Sequence, residues 1–188
     1  RGRAWEMVKK PRWRSIAMLE LLLLAFCAGV IVKAVDWMDD DDKREHPAKY
    51  PLAALYGGLL GYLIAVAPFS ILFLAAIAAQ VFAKKVDTTA HRIGLAASML
   101  VVLGIGMPNL DMALFLVFLI AAFLDEVDYV GSLRPLNDWR PFLKVAALGL
   151  VFIGRPEFFL GIIVFDIGYE LFRFIATKIA GKKGPAAE

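Results

Sequence analysis

Long apolar stretches, interrupted by short polar or proline-bearing junctions, make up most of the chain. These stretches are continuous and do not alternate between apolar and polar residues, which is typical of membrane helices rather than of barrel strands. The pattern predicts helices over about 15–37, 90–106, 110–128, 141–153 and 156–179, with 51–83 as one further apolar stretch. Because lipid leaves every backbone polar group to be bonded within the protein, we predict an all-α, polytopic integral membrane helical bundle.

Residues 51–83 determine how many helices the bundle contains. A single helix of this length would measure ~50 Å, which exceeds the ~30 Å hydrocarbon core of a bilayer. The segment Ala67-Pro68-Phe69-Ser70 supplies a break, so two short helices and seven helices in total are predicted. A six-span alternative treats 51–83 as one tilted helix. The two interpretations differ in topology, because only seven helices bring all the acidic junctions to one face of the membrane.

The flanks of the apolar region divide the chain into three parts. Residues 1–14 combine arginine and lysine with Trp5 and Trp13, which predicts a basic interfacial N-terminal segment. Residues 15–179 form the single transmembrane helical domain. Residues 180–188 are expected to be a mobile C-terminal tail.

Composition and charge support a membrane location. The chain has 188 residues and is 60% hydrophobic, whereas soluble domains average ~45–50%. The net charge of +3 resides mostly in short flanks, which suits anionic lipid headgroups and argues against nucleic acid as a partner. Membrane lipids are therefore the expected partners, in the cytoplasmic membrane of a prokaryote, and an oligomer is possible. Cys27 is the single cysteine, so no internal disulfide is possible.

Acidic residues recur at or near the ends of the apolar runs, which suggests a degenerate helical-hairpin repeat. Each group places an aspartate three or four residues from another possible ligand, a spacing that shares one helix face. Hard carboxylate ligands suit a divalent metal, with Mg²⁺ or Mn²⁺ as the expected cofactor. The predicted metal ligands are Asp36, Asp39, Asp87, His91, Asp125, Asp128, Asp166 and Glu170.

Basic residues lie near these acids in the sequence. Cations beside metal-bound carboxylates are what a phosphate or diphosphate headgroup requires. The predicted phosphate-binding residues are Lys84, Lys85, Arg92, Arg134 and Arg140. The Asp-x-x-Asp segments that begin at Asp36 and Asp125 resemble the aspartate-rich motifs of UbiA-type prenyltransferases, where such acids hold Mg²⁺ and diphosphate. The resemblance is confined to 36–42 and 125–128, and the chain is too short for the nine helices of that family.

Three function classes follow from this pattern. The first is a metal-dependent enzyme that acts on a lipid or isoprenoid phosphate, as a transferase or hydrolase. The second is a divalent-cation or proton-coupled transporter, and the third is a structural or partner-binding membrane subunit. Asp166, inside an apolar helix, is the most informative acid, because an intramembrane carboxylate normally faces a partner or a cavity. The simpler alternative is an ion pair of Asp166 or Glu170 with Arg173.

Overall fold

The computed structural model describes residues 12–41, 46–107 and 109–182, and every regular element in these ranges is helical. The prediction of an all-α protein is therefore confirmed. The elements are α1 (Arg12–Asp36), α2 (Lys49–Val66), α3 (Ser70–Phe82), α4 (Thr89–Ile105), α5 (Met112–Asp125), α6 (Pro135–Trp139), α7 (Pro141–Val151) and α8 (Glu157–Lys182). A π-helical segment, Trp37–Asp41, extends α1, and a 3₁₀ turn, Gly131–Leu133, precedes α6.

The predicted break within 51–83 is present between α2 and α3. Ala67 ends α2 in an extended conformation, with φ −77° and ψ 148°, which the following Pro68 favours because its ring disfavours a helical residue before it. The helices are 18 and 13 residues long. With the short α6 counted as an additional turn between α5 and α7, the described residues contain seven helices. Whether each of them spans a membrane is a separate prediction, and only two of the described stretches have the length and apolar character for it.

Glycines set the closest contacts in the bundle. α1 packs along α8, and α2 packs along α4. A Cβ placed on Gly29 would collide with the carbonyl of Phe165, and a Cβ on Gly57 would collide with that of Gly94. Small residues at these positions allow the backbones to approach directly, as expected for tightly packed apolar helices. The tertiary fold consequently depends on contacts between α1, the first helix, and α8, the last described one.

The core is apolar, and so is much of the outer surface. Phe69, Phe118 and Phe158 are fully buried, while Leu103 and Phe152 are 78% and 84% exposed. Two stretches, Ala17–Asp39 and Lys49–Val66, are long and apolar enough to cross a membrane, and four other apolar helices are shorter. These two stretches are compatible with a membrane location.

Parts of the sequence predictions fall on residues that the structure does not describe. They are residues 1–11 of the interfacial segment, residues 42–45 of the charged loop that follows Asp41, Pro108, and residues 183–188 of the C-terminal tail.

Candidate functional site

A large cavity lies inside one end of the bundle, among α1–α4, α8 and the α5–α7 connection. Its volume is about 1060 Å³. One part of its wall is apolar and includes Val32, Leu60, Phe73 and Phe165. The remaining wall carries charged and hydroxyl side chains from several helix ends. The polar lining residues include Lys33, Asp36, Tyr56, Lys85, Asp87, Thr88, His91, Glu126, Arg140, Asp166, Tyr169, Glu170 and Arg173.

Asp36 joins three helices at the cavity wall. One carboxylate oxygen lies 3.0 Å from Nε2 of His91 on α4. The other accepts a 3.0 Å hydrogen bond from the hydroxyl of Tyr169 on α8. Lys33, one turn before Asp36, places its ammonium group 5.3 Å from the centroid of the Tyr169 ring. The Lys33 ammonium therefore makes a cation–π contact with the tyrosine whose hydroxyl binds Asp36.

Asp39 lies in the π-helical extension of α1 and is almost completely buried. It pairs with Lys49 at 2.7 Å and accepts a 2.9 Å hydrogen bond from the Thr88 hydroxyl. Thr88 is also the N-cap of α4, where its hydroxyl accepts from the backbone N–H of His91. Thr88 thus ties the cap of α4 to the acidic end of α1.

His91 lies between the two acidic contacts of α1. Its Nδ1 is 2.8 Å from the Thr88 hydroxyl, which itself donates to Asp39. Its Nε2 is 3.0 Å from the Asp36 carboxylate. The imidazole therefore connects Asp36 with the Thr88–Asp39 contact at the start of α4.

Asp125 is buried for a structural reason. It is 8% exposed, and its two oxygens accept hydrogen bonds from the backbone N–H groups of Phe142 at 2.9 Å and Leu143 at 2.8 Å. These are the first free amides of α7, so Asp125 caps that helix from α5, where a negative charge is favoured by the helix dipole. Asp128, three residues on, is exposed and pairs with Lys85 at 3.2 Å.

Asp166 and Glu170 on α8 have cationic partners. Asp166 pairs with Lys144 of α7 at 2.8 Å. Glu170 pairs with Arg173 at 3.2 Å, one turn further along the same helix. The predicted Glu170–Arg173 alternative is thus present, whereas Asp166 uses a cation from another helix.

Two of the predicted phosphate-binding residues, Lys85 and Arg140, line the cavity. Arg140 precedes Pro141 in a left-handed conformation, with φ 43°, which is costly for a residue with a side chain. Its guanidinium lies 3.7 Å from Glu126. Loss of surrounding water disfavours its charge, but Glu126 and the nearby Asp36 outweigh this effect and raise the Arg140 pKa. Lys84, Arg92 and Arg134 are not among the lining residues.

The cavity brings together part of the predicted metal-ligand set. Asp36, Asp87, His91, Asp166 and Glu170 line it, whereas Asp39, Asp125 and Asp128 do not. Among residues 12–41, 46–107 and 109–182, no three or more histidine, cysteine or acidic side chains form a group that could hold a metal ion. A divalent ion would therefore need a ligand oxygen from outside this set.

Several residues of the cavity region were missed in the sequence analysis. Tyr56 and Tyr169 line the cavity, Lys144 pairs with Asp166, and Lys49 pairs with Asp39. Lys144 was detectable, since a cation inside the apolar run 141–153 normally has a partner. Tyr169 carries a polar group on an apolar helix between Asp166 and Glu170, which is a similar indication.

Comparison with known proteins yields no relative. The chain matches no protein-family model, and no curated protein or solved structure shows significant similarity to it.

Proposed function

We propose that the protein is an integral membrane protein that binds the phosphate-bearing headgroup of a lipid or isoprenoid in its cavity and acts on it as a metal-dependent enzyme. The observation that carries this proposal is the two-part wall of the cavity. The apolar part suits a hydrocarbon chain, and the polar part includes Lys85 and Arg140, whose charges suit a phosphate.

The outer surface supports the membrane part of the proposal. Apolar side chains such as Leu100, Leu103 and Ile120 are 62–78% exposed. In water such a surface would favour association or aggregation, whereas in a bilayer it would contact lipid chains. Besides the two stretches that are long enough to cross a membrane, four other described apolar helices are 11–17 residues long.

Phosphate binding would rest mainly on Arg140 and Lys85. Arg140 is held in a costly backbone conformation beside the cavity, and such strain is often found where a side chain has a functional position. A guanidinium donates in a fork that matches phosphate oxygens. Lys85 is paired with an exposed partner, Asp128, and an exposed ion pair is weak enough to exchange for a ligand.

A metal in the cavity would bind together with the phosphate. No three of the described acids are grouped around one point, so one or two of Asp36, Asp87, Asp166 and Glu170 would supply hard oxygen ligands and phosphate oxygens would supply the others. A divalent cation there would polarise a phosphoryl oxygen. His91 lies in the same wall with Nε2 3.0 Å from Asp36, and its imidazole would exchange a proton with a leaving oxygen.

A binding experiment tests the proposal. Purified protein in nanodiscs would be titrated with phosphatidic acid and with diacylglycerol, which lacks the phosphate, in Mn²⁺ and in chelator. We expect preference for phosphatidic acid, strengthened by Mn²⁺ and reduced about tenfold or more by Arg140→Gln. Arg92→Gln, an arginine outside the cavity lining, is the matched control. Equal binding of both lipids, or equal loss in both variants, would contradict the proposal and favour a structural subunit.

A further inference from the structure

The connection between α5 and α7, residues 126–140, brings Arg140 to the cavity. It contains the 3₁₀ turn and the short α6, and three of its residues, Glu126, Asn137 and Arg140, line the cavity. The guanidinium of Arg140 lies 3.7 Å from the carboxylate of Glu126. The first and last residues of the connection therefore meet at the cavity wall, and the position of Arg140 depends on how the connection is closed.

Asn137 closes the connection through both groups of its side-chain amide. Its Oδ1 accepts a 2.8 Å hydrogen bond from the backbone N–H of Tyr129, and its Nδ2 donates to the carbonyl oxygen of the same residue at 3.0 Å. A side-chain amide can do both, whereas a carboxylate only accepts and an ammonium only donates. Asn137 thus holds residues 129–137 as a closed loop.

Arg140 lies just beyond this loop, in a conformation that needs support. Its φ of 43° is unfavourable for a residue with a side chain, and the following Pro141 favours an extended residue before it. Such a conformation persists only where the surrounding structure holds it in place. On one side of Arg140, Asp125 caps the start of α7. On the other side, the backbone N–H of Arg140 donates to the carbonyl oxygen of Leu136, the residue before Asn137.

We infer that Asn137 is a positioning residue for phosphate binding, because by closing the connection on Tyr129 it holds Arg140 in the strained conformation that places it at the cavity. Without the two amide contacts, the connection would open and Arg140 would relax to an extended conformation. The inference rests on the proposed function, since it concerns the arginine assigned there to the phosphate. Any effect of Asn137 on phosphate binding should therefore require Arg140.

A double-mutant cycle tests whether Asn137 acts through Arg140. Phosphatidic acid binding would be measured in nanodiscs for the wild type, Asn137→Ala, Arg140→Gln and the double variant. We expect Asn137→Ala to weaken binding about fivefold when Arg140 is present, and less than about twofold in the Arg140→Gln background. Asn109→Ala is the matched control, because Asn109 is the other asparagine of the chain, is exposed and does not line the cavity. It should leave binding unchanged.

The outcomes separate the inference from the proposed function. Unchanged binding in Asn137→Ala, or an equal loss in both backgrounds, would overturn the inference and leave the proposed function intact. A loss in Asn109→Ala as large as that in Asn137→Ala would do the same. If Arg140→Gln bound phosphatidic acid as tightly as the wild type, both would be overturned.

Asn137→Ser keeps the test decisive if Asn137→Ala does not fold. Its hydroxyl is neutral, as the amide is, but it is too short to contact both backbone groups of Tyr129. We expect binding to weaken only when Arg140 is present, and backbone hydrogen exchange to become faster within 129–140 and to stay unchanged in α8. Wild-type binding in Asn137→Ser, or faster exchange throughout the bundle, would overturn the inference.

Discussion

The ends of α1 and α5 carry aspartates at the same spacing, in two very different environments. Asp36 accepts hydrogen bonds from two side chains, those of His91 and Tyr169, and lines the cavity. Asp125 accepts two hydrogen bonds from the backbone of α7 and does not line it. Backbone amides at a helix start are fixed in place, whereas side chains can exchange partners. The difference indicates a structural role for Asp125, whereas the proposed function assigns Asp36 to the ligand site.

The largest expected effect is the loss of stability on replacing Asp125, the aspartate with a structural role. Asp125→Ala removes both acceptors from the start of α7 and leaves two buried N–H groups unpaired. We expect a loss of about 2–3 kcal/mol in the free energy of unfolding, measured by denaturant titration in detergent. Asp125→Asn should lose less, because the amide retains one acceptor. A stability change below that of Asp128→Ala would show that the capping contact is unimportant.

Replacing Asp36 tests the role of the aspartate that lines the cavity. In Asp36→Asn, one of the two carboxylate oxygens that contact His91 and Tyr169 becomes an N–H₂ group, and the negative charge is lost. We expect phosphatidic acid binding to weaken about tenfold, with a smaller loss of stability, about 1 kcal/mol. Isothermal titration and unfolding on the same samples would separate the two effects. If Asp36→Asn lost as much stability as Asp125→Ala and bound phosphatidic acid as tightly as the wild type, Asp36 would also have a structural role only.

Asp166 is intermediate, because it lines the cavity but already has an ion-pair partner. Asp166→Asn should reduce Mn²⁺ content in the presence of phosphatidic acid several-fold while the protein remains folded, since a partly exposed pair contributes only ~1 kcal/mol or less. Metal analysis after gel filtration would measure this, with Glu157→Gln as a control on the same helix. Full metal content in Asp166→Asn would indicate that Asp166 serves only as the ion-pair partner of Lys144 and binds no metal.

The smallest effect is expected at Asp128. Its side chain is 83% exposed and its partner Lys85 is 44% exposed, so Asp128→Ala should change stability by less than ~0.5 kcal/mol. Because the variant frees Lys85, phosphatidic acid binding should increase slightly. Decreased binding would indicate that Asp128, like Asp36, takes part in the site.

The helices and the break at Pro68 were predictable because apolar runs and proline act locally. Gly57 and Gly61 lie one turn apart on α2, and a Cβ on either would collide with the backbone of α4, at Gly94 and Ser98. This spacing of small residues is also a local signal of close helix packing. The different roles of Asp36 and Asp125 were not predictable from the sequence. Asp125 caps a helix that starts sixteen residues later, and this depends on how α5 and α7 pack. The Lys144–Asp166 pair likewise depends on the relative rotation of α7 and α8, which no local pattern encodes.

The pairing of α1 with α8 has a consequence for how the protein is made. Asp36 and Tyr169 are 133 residues apart, so the wall of the cavity stays incomplete until α8 has been synthesised. A chain truncated before residue 157 would lack Asp166, Tyr169 and Glu170 of that wall. Nascent chains of increasing length should therefore acquire protease resistance late and abruptly, and not helix by helix.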